Sequence, residues 1–262
     1  SADVLLVEST YGDRLHRSIK ETEDELVEIV TQTLDRGGNV IMPAFAVGRT
    51  QEILFILADL IRKNRLPHLN VWVDSPMATK VTELTNACLD ELDEDAKLLH
   101  QWLLNHKNKI DVRFVEDLEE SKSLNKLKGG AIIISSSGMC QAGRILHHLA
   151  NNLSFEKNAI VITGFQAEGT LGRRLVDRVA SVKIMGEYVD VKASIHTLGG
   201  LSAHADRDNL IKWLKGFKQK PKYVFIVHGE PSASIHFAQS IRETLNWNDV
   251  FIPTLQTTFD IN

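Results

Sequence analysis

The chain has 262 residues, which is enough for one large domain or two modest ones with a buried core. Its formal net charge of -4 excludes a protein that attracts polyanions through an overall positive field. The two distant cysteines, Cys88 and Cys140, exclude a disulfide framework and a thiolate zinc site, and they suit a reducing, cytoplasmic location. No apolar run approaches the roughly 18 residues that a membrane span needs, so we expect no membrane partner.

The predicted elements recur as strand, loop and helix. The buried strand DVLLVE is followed by a polar loop and by the amphipathic helix KETEDELVEIVTQTLDR, which Gly37 and Gly38 close. The strand NVIMP leads into the helix TQEILFILADLIRKN, for which Thr50 is the predicted N-cap. Four further units begin with the strands NVWV, AIIIS, AIVIT and KYVFIV. This repetition predicts an α/β fold with mostly parallel strands flanked by helices.

Residues 182–198, VKIMGEYVDVKASIHTL, interrupt this rhythm and predict a hairpin with a Gly-Glu turn. We therefore expect a domain change at this point. A compact α/β unit would occupy residues 16–181, and a β-rich segment with two helices would follow it. Exposed strand edges around 182–195 could pair with another subunit, which makes a homo-oligomer a possible assembly.

Small polar loops follow several of these strands. In parallel sheets, ligands bind beyond the carboxyl ends of the strands, where N–H groups of helix N-termini point at an anion. This placement applies to the loops SSSG, TGFQAEGT, FAVGRT and DSPMA. Three of them are followed by an arginine that could pair with phosphate, namely Arg49, Arg144 and Arg173. None of them is a Walker A or dinucleotide-binding sequence. Any single loop could instead be a tight turn without a ligand, but several together indicate a phosphate-lined crevice. The candidate substrate-binding residues are Arg49, Ser135, Ser136, Ser137, Gly138, Arg144, Gln166 and Thr170.

Three ionisable residues are candidates for the chemistry. Glu8 and His228 each end a buried-type strand, where a carboxylate would emerge and a neutral imidazole could bind zinc or relay a proton. His204 lies on the small-residue loop GLSAHAD at a strand-to-helix turn. The alternatives are a solvated strand end for Glu8 and a helix-start residue without chemistry for His204. The other histidines, apart from His16, mostly fall on helices or connectors and are expected to have surface or packing roles.

Seven segments occur in a fixed order: VLLVESTYGDRLH, NVIMPAFAVGRTQEIL, VDSPMA, SSSGMCQAGRILHHL, TGFQAEGTLGRRL, GLSAHAD and FIVHGE. In this order the chain resembles the β-CASP family of metallo-β-lactamase-fold RNA nucleases, which includes ribonuclease J-like enzymes and the pre-mRNA 3′-end processing endonuclease. The resemblance covers essentially the whole chain and implies the C-terminal part of such an enzyme. Residues 1–15 would end the first metallo-β-lactamase-like segment, 16–181 would form the β-CASP domain, and 182–262 would be the C-terminal segment of the lactamase-like αββα domain.

The resemblance also implies a role for each ionisable residue. His228 matches a zinc ligand, and His204 matches a histidine that the acidic residue at the position of Glu8 holds near the leaving group. The family's other metal ligands, which include an H-x-H-x-D-H signature, precede the motif that begins here at Glu8, and this chain contains no H-x-H. We therefore expect a missing upstream metallo-β-lactamase segment and an incomplete site for the two zinc ions of the intact enzyme. The chain alone is expected to bind zinc weakly and not to cut RNA.

The predicted function is part of a zinc-dependent ribonuclease that hydrolyses RNA phosphodiester bonds in RNA processing or decay. In the intact enzyme, zinc would activate a water, His204 would protonate the departing oxygen, and the loops at 135–138 and 163–170 would hold the RNA backbone. A non-catalytic β-CASP module for RNA binding or assembly is the alternative. A generic nucleotide-binding α/β domain is a third hypothesis, but it leaves GLSAHAD and VHGE unexplained.

Overall fold

A computed structural model describes residues 1–106 and 108–261 of the chain. By its internal contacts the chain forms two compact units. The terminal unit consists of Ser1–Arg17 and Ser202–Asn262, and the central unit consists of Ser18–Leu201. The units thus divide at 17/18 and 201/202, and residues 182–201 group with the central unit. The division into named domains at 15/16 and 181/182 stays a prediction.

The described ranges contain strands and helices in alternation along most of the chain. The strands are β1 (Val4–Glu8), β2 (Val40–Pro43), β3 (Leu69–Asp74), β4 (Ile110–Phe114), β5 (Ile132–Ser135), β6 (Ala159–Ile162), β7 (Ser181–Ile184), β8 (Glu187–Asp190), β9 (Ser194–Thr197), β10 (Tyr223–Val227) and β11 (Val250–Phe251). The helices are α1 (Ile19–Asp35), α2 (Arg49–Arg62), α3 (Pro76–Ala87), α4 (Glu94–Asn105), α5 (Leu118–Leu124), α6 (Arg144–Asn152), α7 (Leu171–Val176), α8 (Arg207–Leu214) and α9 (Pro231–Leu245). None of the helices in the described ranges has the length and the apolar composition that a membrane span requires.

The central unit is built on a sheet with the strand order β4-β3-β5-β2-β6-β9, in which every recorded pairing is parallel. Alternate residues of β2 point to opposite faces: Val40 and Met42 pack in one core with α1 and α2, while Ile41 packs in another with α6 and α7. Strands covered on both faces are apolar throughout, which is why β2, β5 and β6 are fully buried. The predicted α/β fold with a mostly parallel, helix-flanked sheet is confirmed.

The prediction that Thr50 is the N-cap of α2 is wrong. The helix begins at Arg49, and its N-cap is Gly48, whose φ of 80° lies in the left-handed region that glycine adopts without steric cost. Thr50 therefore lies within the first turn, where its hydroxyl donates a hydrogen bond of 2.8 Å to the Phe45 carbonyl. The glycine starts the helix two residues before the threonine can cap it.

The hairpin predicted within 182–198 is confirmed as the antiparallel pair β7 and β8. Its turn is Met185-Gly186, and both residues have positive φ. The predicted Gly-Glu turn is wrong by one residue, because Glu187 already belongs to β8. The chain then leaves the hairpin, and β9 pairs in parallel with β6 at the end of the large sheet.

The terminal unit contains a parallel sheet with the order β1-β10-β11, which packs against α8 and α9. Strands β1 and β10 are in register over five residue pairs, from Val4 opposite Tyr223 to Glu8 opposite Val227. Because both strands are parallel and end together, the loops that follow Glu8 and Val227 leave the sheet at the same edge.

Candidate metal centre

Three loops of the terminal unit supply the candidate site. Glu8 is the last residue of β1, His228 directly follows β10, and His204 lies in the loop before α8. Asp206, the N-cap of α8, holds this last loop in place. One of its carboxylate oxygens accepts from the Asn209 N–H at 2.9 Å, and the other accepts from the His16 N–H at 3.0 Å. The helix cap thus also ties the loop before α8 to the chain that follows β1.

The structure brings Glu8, His204 and His228 together, with one potential ligand atom from each lying within 4.8 Å of those of the other two. Glu8 Oε1 lies 3.1 Å from His204 Nδ1, and its Oε2 accepts the Thr10 backbone N–H at 3.0 Å. The rings of His204 and His228 stack with their centroids 5.3 Å apart and an angle of 27° between their planes. A carboxylate accepts only, so His204 Nδ1 carries the hydrogen and its Nε2 remains for other chemistry.

Thr10 is a buried residue of the site that the sequence analysis did not identify. Its hydroxyl donates to the His228 carbonyl at 3.1 Å and lies 3.2 Å from His228 Nδ1. Because the single hydroxyl proton goes to the carbonyl, Nδ1 donates to the hydroxyl oxygen, and the lone pair of His228 is on Nε2. This tautomer allows His228 to bind a metal through Nε2. A threonine two residues after a carboxylate gives no local signal of this contact.

The backbone around His228 is shaped by contacts with the β1 loop. His228 has a φ of 50°, a left-handed conformation that histidine adopts more readily than most residues. A Cβ on Gly229 would lie 2.2 Å from Ser9 Oγ and 2.8 Å from the Ser9 carbonyl oxygen, so only glycine fits there. The Ser9 hydroxyl in turn donates to the Val227 carbonyl at 3.1 Å and lies 2.9 Å from Ser234 Oγ. Packing of the two loops therefore requires the glycine of the VHGE segment.

His16, which the sequence analysis left apart from the other histidines, supports the loop of His204. Its Nε2 lies 2.8 Å from the His204 carbonyl oxygen and donates to it. The Tyr11 ring meets the His16 ring edge-on, with centroids 4.7 Å apart. These contacts fix the backbone of His204 and leave its imidazole to Glu8.

The acidic residues around the site are held in their charged forms. Burial raises the pKa of Glu8, but hydrogen bonds from Thr10 and His204 outweigh it and leave that pKa below its ordinary value. Burial likewise raises the pKa of Asp206, and the hydrogen bonds from the backbone of His16 and Asn209 reverse this effect. Glu8 therefore presents a carboxylate to His204 at neutral pH.

The donor set is chemically suited to zinc, which takes imidazole nitrogen and carboxylate oxygen. Both oxygens of Glu8 are engaged, by His204 and by Thr10, and the Nδ1 atoms of both histidines are engaged as well. Among the described residues, the Nε2 atoms of His204 and His228 have no hydrogen-bond partner and can each act as a metal ligand. Catalytic zinc sites generally use three protein ligands, so the described residues of this chain supply part of such a set.

The predicted substrate-binding residues lie in the central unit, at the carboxyl ends of its parallel strands. Gln166 links two of the loops, because its amide donates to the carbonyls of Gly138, at 2.9 Å, and Phe165, at 3.0 Å. Thr170 is the N-cap of α7 and accepts from the Arg173 N–H. Ser136 Oγ lies 2.8 Å from Ser75 Oγ. No hydrogen bond of the Ser137 hydroxyl is recorded among the described residues.

Other members of this set bond to the protein itself. The Ser135 hydroxyl is buried and donates to the Asp74 carbonyl at 2.9 Å, and Arg49 forms an ion pair with Glu52. Arg144 donates to the Asp74 carboxylate at 2.7 Å and also to two backbone carbonyls of the segment 115–116. These side chains fix the loops, and their contact with a substrate stays a prediction.

Asp74 is the centre of a buried polar network that the sequence analysis did not identify. Its side chain is completely buried and accepts from His148 Nε2 at 2.6 Å, Ser121 Oγ at 2.7 Å and Arg144 Nη1 at 2.7 Å. Burial raises the pKa of Asp74, and these three hydrogen bonds outweigh that effect and hold its pKa below the ordinary value. The network joins the end of β3 to helices α5 and α6.

Comparison with known proteins adds two domain matches and a set of relatives. The β-CASP domain family matches residues 50–175, and the family described as Zn-dependent metallo-hydrolase RNA specificity domain matches residues 188–253. A ribonuclease of Thermus thermophilus is 43% identical over 229 residues, which are 87% of this chain and 52% of that protein. An RNase J-like protein of Methanocaldococcus jannaschii is 33% identical over 261 residues, 99% of this chain and 59% of that protein.

A transcription termination factor, FttA, of Methanocaldococcus jannaschii is 31% identical over 249 residues, 92% of this chain and 39% of that protein. The chain thus spans about half the length of the curated relatives it matches. The two domain matches follow each other along the chain, and the relatives include proteins named as ribonuclease and RNase J-like. The chain therefore belongs to the family of proteins in which a β-CASP domain is followed by a Zn-dependent metallo-hydrolase RNA specificity domain.

Proposed function

We propose that this chain is part of a zinc-dependent ribonuclease that hydrolyses RNA phosphodiester bonds in RNA processing or decay. The observation that carries the proposal is the convergence of Glu8, His204 and His228, from three separate loops, within 4.8 Å. Two imidazoles with free Nε2 atoms beside a carboxylate suit a metal-assisted hydrolysis. The relatives named as ribonuclease and RNase J-like support RNA as the substrate class.

His228 is the proposed metal ligand. Its Nε2 is free because Nδ1 donates to Thr10, and the hydroxyl of Thr10 is itself fixed by the His228 carbonyl. Zinc bound there would supply a Lewis acid for the phosphoryl oxygens and would lower the pKa of a water to about 7. The remaining ligands would come from an upstream metallo-β-lactamase segment. The presence of that segment in the intact enzyme is part of this proposal.

His204 is the proposed proton donor to the departing oxygen. Glu8 accepts from its Nδ1, fixes the ring orientation and stabilises the positive charge of the imidazolium, from which Nε2 then gives up its proton. The carboxylate does not need to take up a proton itself. Its lowered pKa keeps it charged in this role.

The loops at 135–138 and 163–170 are the proposed RNA backbone contacts. Ser136, Ser137, Gly138 and Thr170 would face the phosphates through hydroxyl and backbone N–H groups. Arg144 and Gln166 would contribute by fixing these loops, since their polar groups bond to the protein.

A homo-oligomer and a cytoplasmic location are further parts of the proposal. The free thiols of Cys88 and Cys140 suit a reducing compartment.

The test compares this chain with the polypeptide that includes the upstream segment, using an end-labelled single-stranded RNA and added zinc. We expect metal-dependent cleavage by the longer polypeptide and none by the 262-residue chain alone. In the longer polypeptide, His228→Ala should abolish cleavage and zinc retention, while His204→Ala should abolish cleavage and keep the zinc. His236→Ala, which removes an exposed histidine of α9, is the matched control.

Two outcomes would contradict the proposal. Robust zinc-dependent cleavage by this chain alone would mean that it holds a complete metal site elsewhere. A longer polypeptide that binds the RNA with its zinc site intact and does not cleave it would instead support the alternative, a non-catalytic β-CASP module for RNA binding or assembly.

A further inference from the structure

The segment 212–222 of the terminal unit combines positive charge with an exposed aromatic ring. It contains five lysines, Lys212, Lys215, Lys218, Lys220 and Lys222, and no acidic residue, in a chain whose net charge is -4. All five lysines are exposed. We call this set, together with Trp213, the lysine–tryptophan surface. Its charge stands out because it is opposite in sign to that of the whole chain.

Most of these charges are not neutralised by the protein. In the part of the chain that the structure describes, Lys220 pairs with Asp249 at 3.3 Å, while Lys212, Lys215, Lys218 and Lys222 make no ion pair. Lys212 and Lys215 line a groove of about 500 Å³ between α8 and α9, which Asp208 and Glu243 also line. Asp208 is engaged by Arg207 at 3.0 Å. The surface therefore keeps an excess of unpaired cations.

Trp213 is 54% exposed although it is a large apolar residue. Its ring makes an edge-on contact with the Phe217 ring, with centroids 5.4 Å apart. The Phe217 ring in turn contacts the Trp247 ring edge-on, with centroids 6.1 Å apart. Phe217 and Trp247 are partly buried against the core of the unit. The indole of Trp213 is thus a supported flat ring beside unpaired lysines.

We propose that the lysine–tryptophan surface binds a single-stranded segment of the RNA substrate away from the cleaved bond, an inference that rests on the proposed function. Lysines attract the phosphate backbone, and an exposed indole stacks with an unpaired base of any sequence. A duplex hides its base faces, so the exposed ring favours a single strand. The negative charge of the phosphate backbone complements the unpaired lysines.

The position of the surface supports a role in holding the RNA. Lys222 directly precedes β10 and His228 directly follows it, so the strand of five residues separates them. At about 3.3 Å per residue, the six residue steps from Lys222 to His228 span roughly 20 Å. One RNA strand would therefore meet the metal centre and this surface with different nucleotides.

The test measures the affinity of the chain for a fluorescein-labelled oligouridylate of about 12 nucleotides, a length within the known range of single-strand sites. Fluorescence anisotropy is recorded with EDTA present, over a series of salt concentrations, so that binding is read without cleavage. We expect Trp213→Ala to weaken binding about tenfold and leave the salt dependence unchanged. Trp213→Phe keeps an aromatic face and should bind nearly as the unsubstituted chain does.

The triple variant Lys212→Ala/Lys215→Ala/Lys218→Ala should weaken binding and lower the slope of log K against log salt by about 0.7 for each lost contact, or about 2 in all. The matched control Lys126→Ala/Lys128→Ala/Lys192→Ala removes the same charge from exposed lysines of the central unit and should change neither. Circular dichroism establishes that every variant is folded.

Three results would overturn this inference: no binding by the unsubstituted chain, equal binding by the surface variants and the control, or equal competition by double-stranded RNA. These results are separable from failure of the proposed function. A longer polypeptide that binds the oligouridylate through Trp213 and does not cleave RNA would refute the nuclease and leave the surface standing. If the longer polypeptide cleaves RNA and its surface variants keep an unchanged KM, the nuclease stands and the surface is refuted.

Discussion

Thr10 holds His228 from two sides: its hydroxyl donates to the His228 carbonyl at 3.1 Å and accepts from Nδ1 of the same residue at 3.2 Å. One buried hydroxyl thereby fixes both the backbone and the ring of the proposed metal ligand. Groups behind a ligating histidine commonly set its tautomer and orientation, and their removal weakens metal binding. Thr10 is therefore a positioning residue and does not itself bind the metal.

The first prediction concerns Thr10→Val, which keeps the shape of the side chain and removes the hydroxyl. Without its acceptor, the His228 ring loses its preferred tautomer and rotates more freely. We expect the affinity for zinc to fall about 10- to 100-fold. The measurement is a competition titration against a chromophoric zinc chelator, made with the longer polypeptide that includes the upstream segment.

Thr10→Ser is the matched control, because it restores the hydroxyl and should retain most of the affinity. Equal zinc affinity of the valine and serine variants would show that the hydroxyl does not orient the ligand. A lower urea midpoint of Thr10→Ser alone would report the loss of the methyl group from a buried site, because the valine variant keeps that methyl group.

The second prediction concerns Gly229→Ala. The new Cβ would lie 2.8 Å from the Ser9 carbonyl oxygen and 2.2 Å from Ser9 Oγ, so the β1 loop and the β10 loop must separate. We expect the free energy of unfolding to fall by about 1–3 kcal/mol, as for other overpacked sites. Zinc affinity should fall as well, since His228 precedes the displaced residue.

Gly199→Ala is the control for this substitution, because a Cβ at Gly199 meets no atom within 4 Å. Its effect on the free energy of unfolding should stay within about 0.5 kcal/mol. Urea denaturation, followed by circular dichroism, measures both variants. Equal stability of the two variants would show that the Ser9 contact yields without cost.

The sequence predicts those parts of the molecule that local patterns encode. Strands such as β2 and β6 are continuous apolar runs because both of their faces are buried, and the loops at their carboxyl ends follow from that. Glu8 and His228 were identified as candidates for the same reason, since each stands at the end of such a run. The convergence of these residues with His204 needs the register of β1 with β10 and was expected only from the family resemblance.

Other features depend on contacts between distant residues and have no local signal. Strand β4, IDVRF, mixes apolar and charged residues because it lies at the edge of the sheet, and it was not predicted. Asp74 looked like one residue of a polar loop, but its carboxylate is buried by helices that follow much later in the chain. Long-range polar pairing of this kind follows from the tertiary structure alone.

The third prediction concerns Asp74→Asn, which preserves the shape of the side chain and removes its charge. Arg144 would then lose its carboxylate partner, and the new amide would direct hydrogens at donors of the network. We expect the free energy of unfolding to fall by about 3 kcal/mol, as when one partner of a buried ion pair is removed. Asp177→Asn, which removes a carboxylate that is half exposed and paired with Arg173, should cost about 0.5 kcal/mol or less.

The fourth prediction is the pH dependence of this Asp74 contribution. Burial raises the pKa of Asp74, but the hydrogen bonds from His148, Ser121 and Arg144 outweigh it, so the pKa in the folded protein lies below the value of about 3.9 expected in the unfolded chain. As the pH falls, the unfolded chain takes up the proton first, and the stabilisation is lost as the pH falls through the folded-state pKa. The difference in unfolding free energy between the unsubstituted chain and Asp74→Asn should therefore be constant near neutral pH and narrow below about pH 4. Urea titrations over a pH series measure this difference, and a gap that widens on acidification would show that Asp74 is not held as a stabilising carboxylate.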